Sequence, residues 1–284
     1  MEFITHGIWH SLLHSLKELL FTVPLLFLAY LLMEYIEHKA SQKMEVSIAK
    51  IGRFGPFMGT GLGLIPQCGF SASCSNLYAT GLITEGTLIA VFLATSDEAI
   101  PILLSKPEFV SDIWKFILVK VIFGILIGFG VDIMLKLLKV KKQHVELCQS
   151  CGCEEENGIL KPALKHTVKT AIFIFVVSLL LGIVMEFVGE DFLHKVLLTN
   201  SYAQPFVAGL LGLIPNCSVS VALIELYTEG VLSFGATCAG LCSGAGIGLA
   251  VLFKTNKSLK ENLRIVGFLY CSASLIGFFL MLLM

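Results

Sequence analysis

One six-residue motif occurs twice in this chain, each time inside an apolar segment. Gly-Leu-Ile-Pro-Gln-Cys at 63–68 recurs as Gly-Leu-Ile-Pro-Asn-Cys at 212–217, an offset of 149 residues. The same offset continues without gaps, and twelve of the thirty-two positions in 57–88 are identical to their counterparts. A long repeat at a fixed offset indicates that one folding unit has been duplicated within the chain.

The segments around the two motifs are too apolar for a soluble fold. The run 19–33 contains no charged residue, and 170–185 and 265–284 are similar. Only 14% of the chain is charged, and 56% is hydrophobic, whereas a typical soluble domain has about 25% charged residues. Apolar runs of about 18 residues or more predict membrane-spanning helices. We therefore expect an all-α membrane protein.

A proline interrupts the second apolar piece of each half. In the first half the apolar pieces are roughly 17–37, 55–82, 86–105 and 114–138, and Pro66 divides 55–82 into arms of about 12 and 15 residues. A straight span needs about 20 residues, so neither arm crosses a bilayer alone. Proline suits the start of a helix, so the second arms should begin at Gln67-Cys68 and, after Pro215, at Asn216-Cys217.

Basic loops decide whether 55–82 is one kinked span or a hairpin that enters and leaves on one side. A hairpin places all three basic loops in the cytoplasm, whereas a kinked span separates the first two. The hairpin therefore fits better, and each half then crosses the membrane an odd number of times. The three loops contain Lys39, Lys43, Lys50 and Arg53; Lys136, Lys139, Lys141 and Lys142; and Lys254, Lys257, Lys260 and Arg264.

This topology predicts two inverted repeats, each with transmembrane helices plus a broken re-entrant helical hairpin. The first repeat covers 1–139, a cytoplasmic linker that contains cysteines covers 140–165, and the second, inverted repeat covers 166–284. Both termini then lie outside. Paired interruptions near the middle of the bilayer are typical of the binding site in secondary transporters.

The two hairpin tips should meet, because the hairpins enter from opposite faces. Each tip offers a side-chain amide, a thiol and, one turn later, a hydroxyl. Close packing of small residues would explain the serines and the cysteines, but an amide in lipid is costly without a partner. The candidate substrate-binding residues are Gln67, Cys68, Ser71, Ser96, Asp97, Glu98, Asn216, Cys217 and Ser220.

Two of these candidates are adjacent carboxylates, Asp97 and Glu98, which the pattern places near the middle of a helix over 86–105. Charged groups at this depth are expensive and usually functional. Their counterparts, Gly246 and Ile247, are uncharged, so the pseudo-symmetry is broken at this point. The alternative is a structural ion pair with Lys120. Glu225 is either a third carboxylate of the site or a residue near the outer boundary.

Two peripheral segments resemble metal sites. The linker carries three closely spaced cysteines, which suit zinc or copper(I), and the N-terminal segment carries three histidines on one helical face. The alternatives are a solvated acidic loop and an interfacial helix with neutral histidines. The peripheral metal candidates are His144, Cys148, Cys151 and Cys153 in the linker, and His6, His10 and His14 near the N-terminus.

The sequences around both prolines, together with Ala-Thr-Ser-Asp-Glu-Ala-Ile-Pro at 94–101, resemble a bacterial permease family of ten-transmembrane heavy-metal exporters. Its members carry labels such as arsenic efflux protein and manganese transporter. The resemblance covers nearly the whole chain and implies a multi-pass protein of the bacterial plasma (inner) membrane. Ten spans equal five per half if each hairpin arm is counted. The family's central loop is rich in His and Cys, and here it keeps the Cys but only one His.

The leading hypothesis is a secondary-active exporter of a heavy metal or metalloid, coupled to protons or another ion through Asp97 and Glu98. No Walker A phosphate loop is present. Manganese would use both carboxylates with Gln67 and Asn216, whereas an arsenic-type substrate would use the tip thiols. The alternative is an inorganic anion or a small organic solute, which the two half-helix N-termini would favour.

A remote alternative is an intramembrane enzyme that uses Asp97 or a cysteine nucleophile, but no His lies in the expected core to activate a thiol. We therefore expect no enzymatic activity and no cofactor beyond a transported or regulatory metal ion. The expected partners are the ion and the lipid bilayer. A formal net charge of −1 gives no basic surface for nucleic acid, and a homodimer is compatible with the sequence.

Cysteine labelling in intact cells tests the predicted topology. Cysteines introduced at Lys43, Gln143 and Lys257 should react only from the cytoplasmic side, and one introduced at Asp191 only from outside. The physical reason is the retention of basic loops in the cytoplasm. Labelling of positions 43 and 257 from opposite sides would rule out the inverted arrangement.

Overall fold

A computed structural model describes residues 54–65, 68–95, 99–138 and 202–283, with helical residues from parts of 16–31 and 160–180. Within these ranges the ordered structure is helical throughout, as the sequence predicts. The first half contains α1 (Gly55–Gly63), α2 (Cys68–Ala79), α3 (Glu85–Ala94), α4 (Ala99–Ser105) and α5 (Val110–Leu137). The second contains α6 (Gln204–Gly212), α7 (Cys217–Thr228), α8 (Phe234–Ser243), α9 (Ile247–Thr255) and α10 (Leu259–Leu283).

The boundaries of these helices repeat at the offset of the sequence motif. The helices α6, α7 and α8 begin and end 149 residues after α1, α2 and α3. The turns after α2 and α7 also match, because Gly81 and Gly230 have φ angles of 78° and 77°. This left-handed conformation is open to glycine at no steric cost, which explains why both copies keep it.

The predicted interruption of the second apolar piece is present in both halves. The helix α1 ends at Gly63 and α2 begins at Cys68, while α6 ends at Gly212 and α7 begins at Cys217. The arms contain 9 and 12 residues in each half. At 1.5 Å per residue they are about 14 and 18 Å long, well short of a bilayer core of about 30 Å.

The predicted continuous helix over 86–105 is wrong. The helix α3 ends at Ala94, because Thr95 leaves the helical conformation with φ −55° and ψ 126°, and the next described helix is α4 from Ala99. The second half has the same break between Ser243 and Ile247. There Gly246 has a φ of 53°, whereas the first half has no glycine or proline between Thr95 and Glu98 to signal the interruption.

Glycines let the short helices cross the long helices at close range. A Cβ at Gly86 of α3 would lie 2.1 Å from the carbonyl oxygen of Gly128 on α5. The equivalent pair, Gly235 on α8 and Gly277 on α10, gives 2.4 Å. Contacts this close exclude any side chain at these crossings, and small residues serve this purpose in membrane helix packing.

Short helices of each half pack against short helices of the other half. The arm α2 packs on α9 of the other half, and α7 packs on α4. At the first of these interfaces the Ser75 hydroxyl donates to the carbonyl oxygen of Gly248 at 2.7 Å. Every residue of α3 is buried, and so is every residue of α8 except Phe234, which is partly buried.

Three stretches of the described residues are long and apolar enough to cross a membrane: Pro107–Leu137, Leu259–Leu283, and Phe234–Thr255, which includes the break after Ser243. The long helices α5 and α10 expose apolar residues at every fourth position. On α5 these include Trp114, Leu118, Ile122 and Leu126. A continuous exposed stripe of this kind is costly in water and fits a helix surface that faces lipid.

Substitution of Gly128 tests the close crossing of α3 and α5. Gly128→Ala should lower the apparent melting temperature of the purified protein in detergent, because the new Cβ would lie 2.8 Å from Ala90, Pro56 and the Gly86 carbonyl oxygen. Overpacking of this kind costs roughly 1–3 kcal/mol. Gly130→Ala on the same helix is the matched control, since nothing lies within 4 Å of its added Cβ. Equal melting temperatures for the two variants would contradict the close crossing.

Candidate functional site

The tip of the second broken pair is ordered by an asparagine cap. Asn216 is 9% exposed, has φ −144° and ψ 134°, and accepts a hydrogen bond at its Oδ1 from the Ser218 amide at 2.8 Å. Asparagine is favoured at this position because it satisfies an amide left over at the helix start. The Asn216 oxygen is therefore engaged in capping α7 in this conformation, which accounts for a buried amide at this position.

Two of the three serines of the predicted site, Ser71 and Ser220, are described and buried, and Ser71 has a packing contact. A Cβ at Gly248 of α9 would lie 2.8 Å from the Ser71 Oγ, so the serine rests on the backbone of the other half. Ser220, its counterpart, is 9% exposed. Close packing of small residues therefore accounts for the position of Ser71, and its role in substrate binding stays a prediction.

The remaining predicted site residues lie outside the described part of the structure, so their roles stay predictions. Glu225 is described and half-buried on α7. Among the described residues, no group of three or more His, Cys, Asp and Glu side chains could hold a metal ion. Outside the description are Pro66, Gln67, Ser96, Asp97, Glu98, His6, His10, His14, His144, Cys148, Cys151 and Cys153, and the side chains of Cys68 and Cys217.

A buried lysine closes the broken end of α3. Lys120 on α5 is 3% exposed, and its ammonium donates to the carbonyl oxygens of Thr95 and, at 3.3 Å, Leu241 on α8. The C-terminal carbonyls of a helix carry partial negative charge, which an ammonium stabilises. Lys120 therefore lies at the end of α3, and its ion pair with Asp97 or Glu98 stays a prediction, because both residues lie outside the described part of the structure.

A cluster of charged residues joins the first half to the start of α10. We call it the Tyr78 cluster; it comprises Tyr78, Glu85, Glu261 and Arg264. The Arg264 guanidinium binds Glu85 through two hydrogen bonds of 2.5 and 2.9 Å. The Tyr78 hydroxyl lies 3.3 Å from a carboxylate oxygen of Glu85 and 3.3 Å from one of Glu261. Glu85 is 1% exposed, so the arginine provides the opposite charge that a buried carboxylate requires.

An equivalent cluster joins the second half to the start of α5. We call it the Tyr227 cluster; it comprises Tyr227, Asp112 and Lys115, at positions 149 residues from Tyr78, Glu261 and Arg264. The Tyr227 hydroxyl donates to Asp112 at 2.8 Å, and Lys115 pairs with Asp112 at 2.7 Å. The position of Glu85 is taken here by Phe234, whose ring lies 6.3 Å from the Tyr227 ring.

The two clusters were missed by the sequence analysis, although a signal was present. Tyr78 and Tyr227 are identical in the repeat, and an acidic and a basic residue follow at the same offset near the start of each long helix. Polar identities of this kind within apolar segments could have indicated contacts between the halves. What the repeat alone does not show is that each tyrosine contacts the long helix of the opposite half.

The family of this chain is decided by its similarity to a known protein family. The profile of the family described as "Putative, 10TM heavy-metal exporter" matches residues 10–198, which is roughly two-thirds of the 284-residue chain. The chain belongs to this family. The match agrees with the resemblance predicted from the motifs, and it includes the first broken pair, Lys120 and the segment between α3 and α4.

Membership in this exporter family, together with the apolar helices, makes the chain a membrane protein of the transporter class. The matched range ends before the second proline motif at 212–217, so the repeat described above is an independent observation. Comparisons with curated proteins and with solved structures gave no match.

The Tyr78 cluster contains a buried ion pair and the Tyr227 cluster does not, and this difference can be tested by measuring protein stability. Arg264→Met should lower the apparent melting temperature strongly, because it leaves Glu85 buried beside Tyr78 without its cation. Breaking a buried pair in this way costs up to roughly 3–5 kcal/mol. The matched control is Lys115→Met at the equivalent position, where the lysine side chain is 52% exposed and the pair contributes at most about 1 kcal/mol.

Thermal unfolding of both purified variants in the same detergent provides the comparison. If Lys115→Met lowered the melting temperature as much as Arg264→Met, this would contradict the assignment of a buried ion pair to the Tyr78 cluster alone. Adding Glu85→Gln to Arg264→Met should recover part of the loss, because it removes the uncompensated charge.

Proposed function

We propose that this protein is a secondary-active exporter of a heavy metal or metalloid, coupled to protons or another ion. The observation that carries the proposal is the pair of helix interruptions in each half at equivalent positions, after Gly63 and Ala94 and after Gly212 and Ser243. Interrupted helices within a buried core are tolerated only against protein or a water-filled cavity. Paired interruptions of this kind mark the substrate site of many secondary transporters.

We further propose that the halves are inverted repeats and that each broken pair of helices is a re-entrant hairpin in a bacterial inner membrane. The reciprocal packing of α2 on α9 and of α7 on α4 supports a two-fold relation between the halves. The short length of the four arms supports hairpins, since neither arm alone would cross. In this arrangement, the Tyr78 and Tyr227 clusters lie toward opposite faces of the membrane.

Such an arrangement suits alternating access. Each cluster ties the second arm of one half to the long helix of the other, so opening one face requires only that its own cluster separates. The buried ion pair of the Tyr78 cluster makes that face the more firmly closed of the two in this conformation. With the predicted topology, the firmly closed face is cytoplasmic, because Arg264 lies near the start of α10, where the basic residues predict a cytoplasmic location.

Coupling is assigned to Asp97 and Glu98, which follow the end of α3. A carboxyl at this depth can release a proton when a cation arrives and regain it when the cation leaves. Lys120 supplies positive charge to the same break through its bond to the Thr95 carbonyl oxygen. This neighbouring charge would favour departure of a cation once the carboxyl groups are protonated again.

The capping role of Asn216 bears on the choice of metal. A manganese site would use Gln67 and Asn216 oxygens beside the carboxylates, but the Asn216 oxygen is engaged with the Ser218 amide at 2.8 Å. A metalloid of the arsenic type would use Cys68 and Cys217, and would leave this cap intact. In this conformation the cap occupies one of the two lone pairs of the Asn216 oxygen, so a manganese ion would have to share that oxygen with the helix start.

The second candidate substrate is an inorganic anion or a small organic solute. The observation that favours it is the start of both α2 and α7 directly after the interruptions, because helix N-termini attract negative charge. An intramembrane enzyme remains the remote alternative, and the exporter description of the family speaks for transport instead.

Transport in proteoliposomes tests the proposal. Asp97→Asn and Glu98→Gln should each abolish transport driven by a pH gradient, with the protein still folded, because an amide keeps the shape but carries no exchangeable proton. The matched control is Glu108→Gln, which changes an exposed carboxylate between α4 and α5 and should leave transport unchanged. Uptake of manganese, arsenite and a panel of anions is measured with and without the gradient.

Wild-type rates and wild-type pH dependence in both carboxylate variants would contradict the coupling role. Transport restricted to anions would favour the second candidate. The variants Cys68→Ser and Cys217→Ser distinguish the two kinds of substrate. Both should still transport a hard ion such as manganese, and neither should transport a thiophilic metalloid.

A further inference from the structure

A positive charge lies in the interior of the protein, where two interrupted helices end. Lys120 is 3% exposed, and it lies ten residues after the start of α5 at Val110. At 1.5 Å per residue this is about 15 Å along the helix, half the thickness of a bilayer core of about 30 Å. A cation at this depth is expensive and usually functional, so its contacts indicate what it does.

The ammonium of Lys120 binds carbonyl oxygens at the ends of both interrupted helices. It donates to the carbonyl oxygen of Thr95, the residue that follows α3, and at 3.3 Å to that of Leu241 in the last turn of α8. These two helices belong to different halves of the chain. Because the carbonyls at a helix C-terminus carry partial negative charge, Lys120 places its positive charge between two negative helix ends.

The second half shows that an interruption of this kind needs no lysine. The helix α8 ends at Ser243 as α3 ends at Ala94, but the residue at the position equivalent to Lys120, 149 residues further on, is Leu269. Leu269 is completely buried, at 0% exposure, so an aliphatic side chain packs well there. The need to pack the core and to end a helix therefore does not explain why residue 120 carries a charge.

Helix ends of this kind bind cations in secondary transporters. Main-chain carbonyl oxygens of interrupted helices, and the C-terminal ends of half-helices, coordinate the sodium ions or protons that drive transport. In this protein the same kind of oxygen atoms, from Thr95 and Leu241, contact an ammonium that is covalently attached to the chain. The lysine therefore lies where a free cation would otherwise find its ligands.

We propose that Lys120 is a positioning residue that acts as a built-in cation. Its ammonium takes the place of a separate sodium or potassium ion and holds the ends of α3 and α8 together. The inference rests on the proposed transport function and narrows the choice of coupling ion. A free cation beside the buried ammonium would be repelled strongly, because the surroundings screen charge poorly. Transport should therefore need neither sodium nor potassium, and among cations the proton remains as the coupling ion.

Thermal unfolding of purified variants in detergent tests the site itself. Lys120→Ala removes the ammonium and leaves a cavity beside the two carbonyl oxygens, which a small primary ammonium ion can enter. Propylammonium at about five times its dissociation constant should raise the apparent melting temperature of this variant by about 2–4 °C. Tetramethylammonium is the matched control ligand. It has the same charge but no N–H group to donate, and it should give no shift.

Lys120→Leu is the matched control variant. It introduces the residue that the second half has at the equivalent position, fills most of the space and removes the charge. Propylammonium should therefore shift neither this variant nor the wild type. An equal shift in Lys120→Leu, or no shift in a folded Lys120→Ala, would overturn the proposal.

Transport in proteoliposomes provides a measurement on the wild type, which needs no folded variant. Wild-type uptake of arsenite or manganese, driven by a pH gradient, should be unchanged when sodium and potassium are replaced by choline. Lys120→Ala and Lys120→Leu should both lose this uptake, and propylammonium should restore part of it in Lys120→Ala alone. A purely structural role predicts loss of uptake in both variants with no recovery, and that result would also overturn the proposal.

The two experiments separate this inference from the proposed function. Wild-type uptake that requires sodium or potassium overturns the built-in cation but leaves the exporter assignment standing. Failure of the wild type to transport either ion contradicts the exporter assignment, and the melting temperatures with propylammonium then decide whether the cation site exists.

Discussion

Interrupted helices in an apolar core depend on protein groups to complete their backbone hydrogen bonding, because lipid offers none. The described structure meets this demand in several ways. The Lys120 ammonium binds the Thr95 carbonyl oxygen at the end of α3, and Asn216 caps the start of α7. The Ser75 hydroxyl binds the Gly248 carbonyl oxygen across the two halves. The short helices, the exchanged contacts and the candidate sites all follow from this requirement.

Both halves share the same framework of helices, because one unit was duplicated. The positions at which the two halves differ indicate where functional groups lie. Glycine crossings, helix boundaries and left-handed turns recur at the same offset, which means that both halves solve the packing problem in the same way. At a few buried positions the two halves differ in polarity. Glu85 binds Arg264 where the other half has Phe234, and Lys120 occupies the position of Leu269 in the other half. Packing alone would not have introduced buried charges at these places.

The interruptions at Pro66 and Pro215 could be predicted, because proline removes a donor and clashes with the preceding turn. The interruption after Ala94 could not, since the first half offers no such local signal; only Gly244 and Gly246 in the other copy indicated it. The Asn216 tip was recognised as polar, but its capping hydrogen bond depends on a backbone conformation that the sequence does not reveal. The Tyr78 and Tyr227 clusters were missed because their partners lie on the opposite half.

The sequence by itself determined the membrane class, the duplicated unit and the residues at which α2 and α7 begin. These properties depend on local composition, proline geometry and internal similarity, all of which can be read along the chain. Tertiary structure alone decided which buried polar groups meet. Tyr78 contacts Glu261 across 183 positions, and Lys120 contacts Leu241 across 121. Such pairs exist only because the helices of the two halves pack against one another, and helix packing is a property of shape in three dimensions.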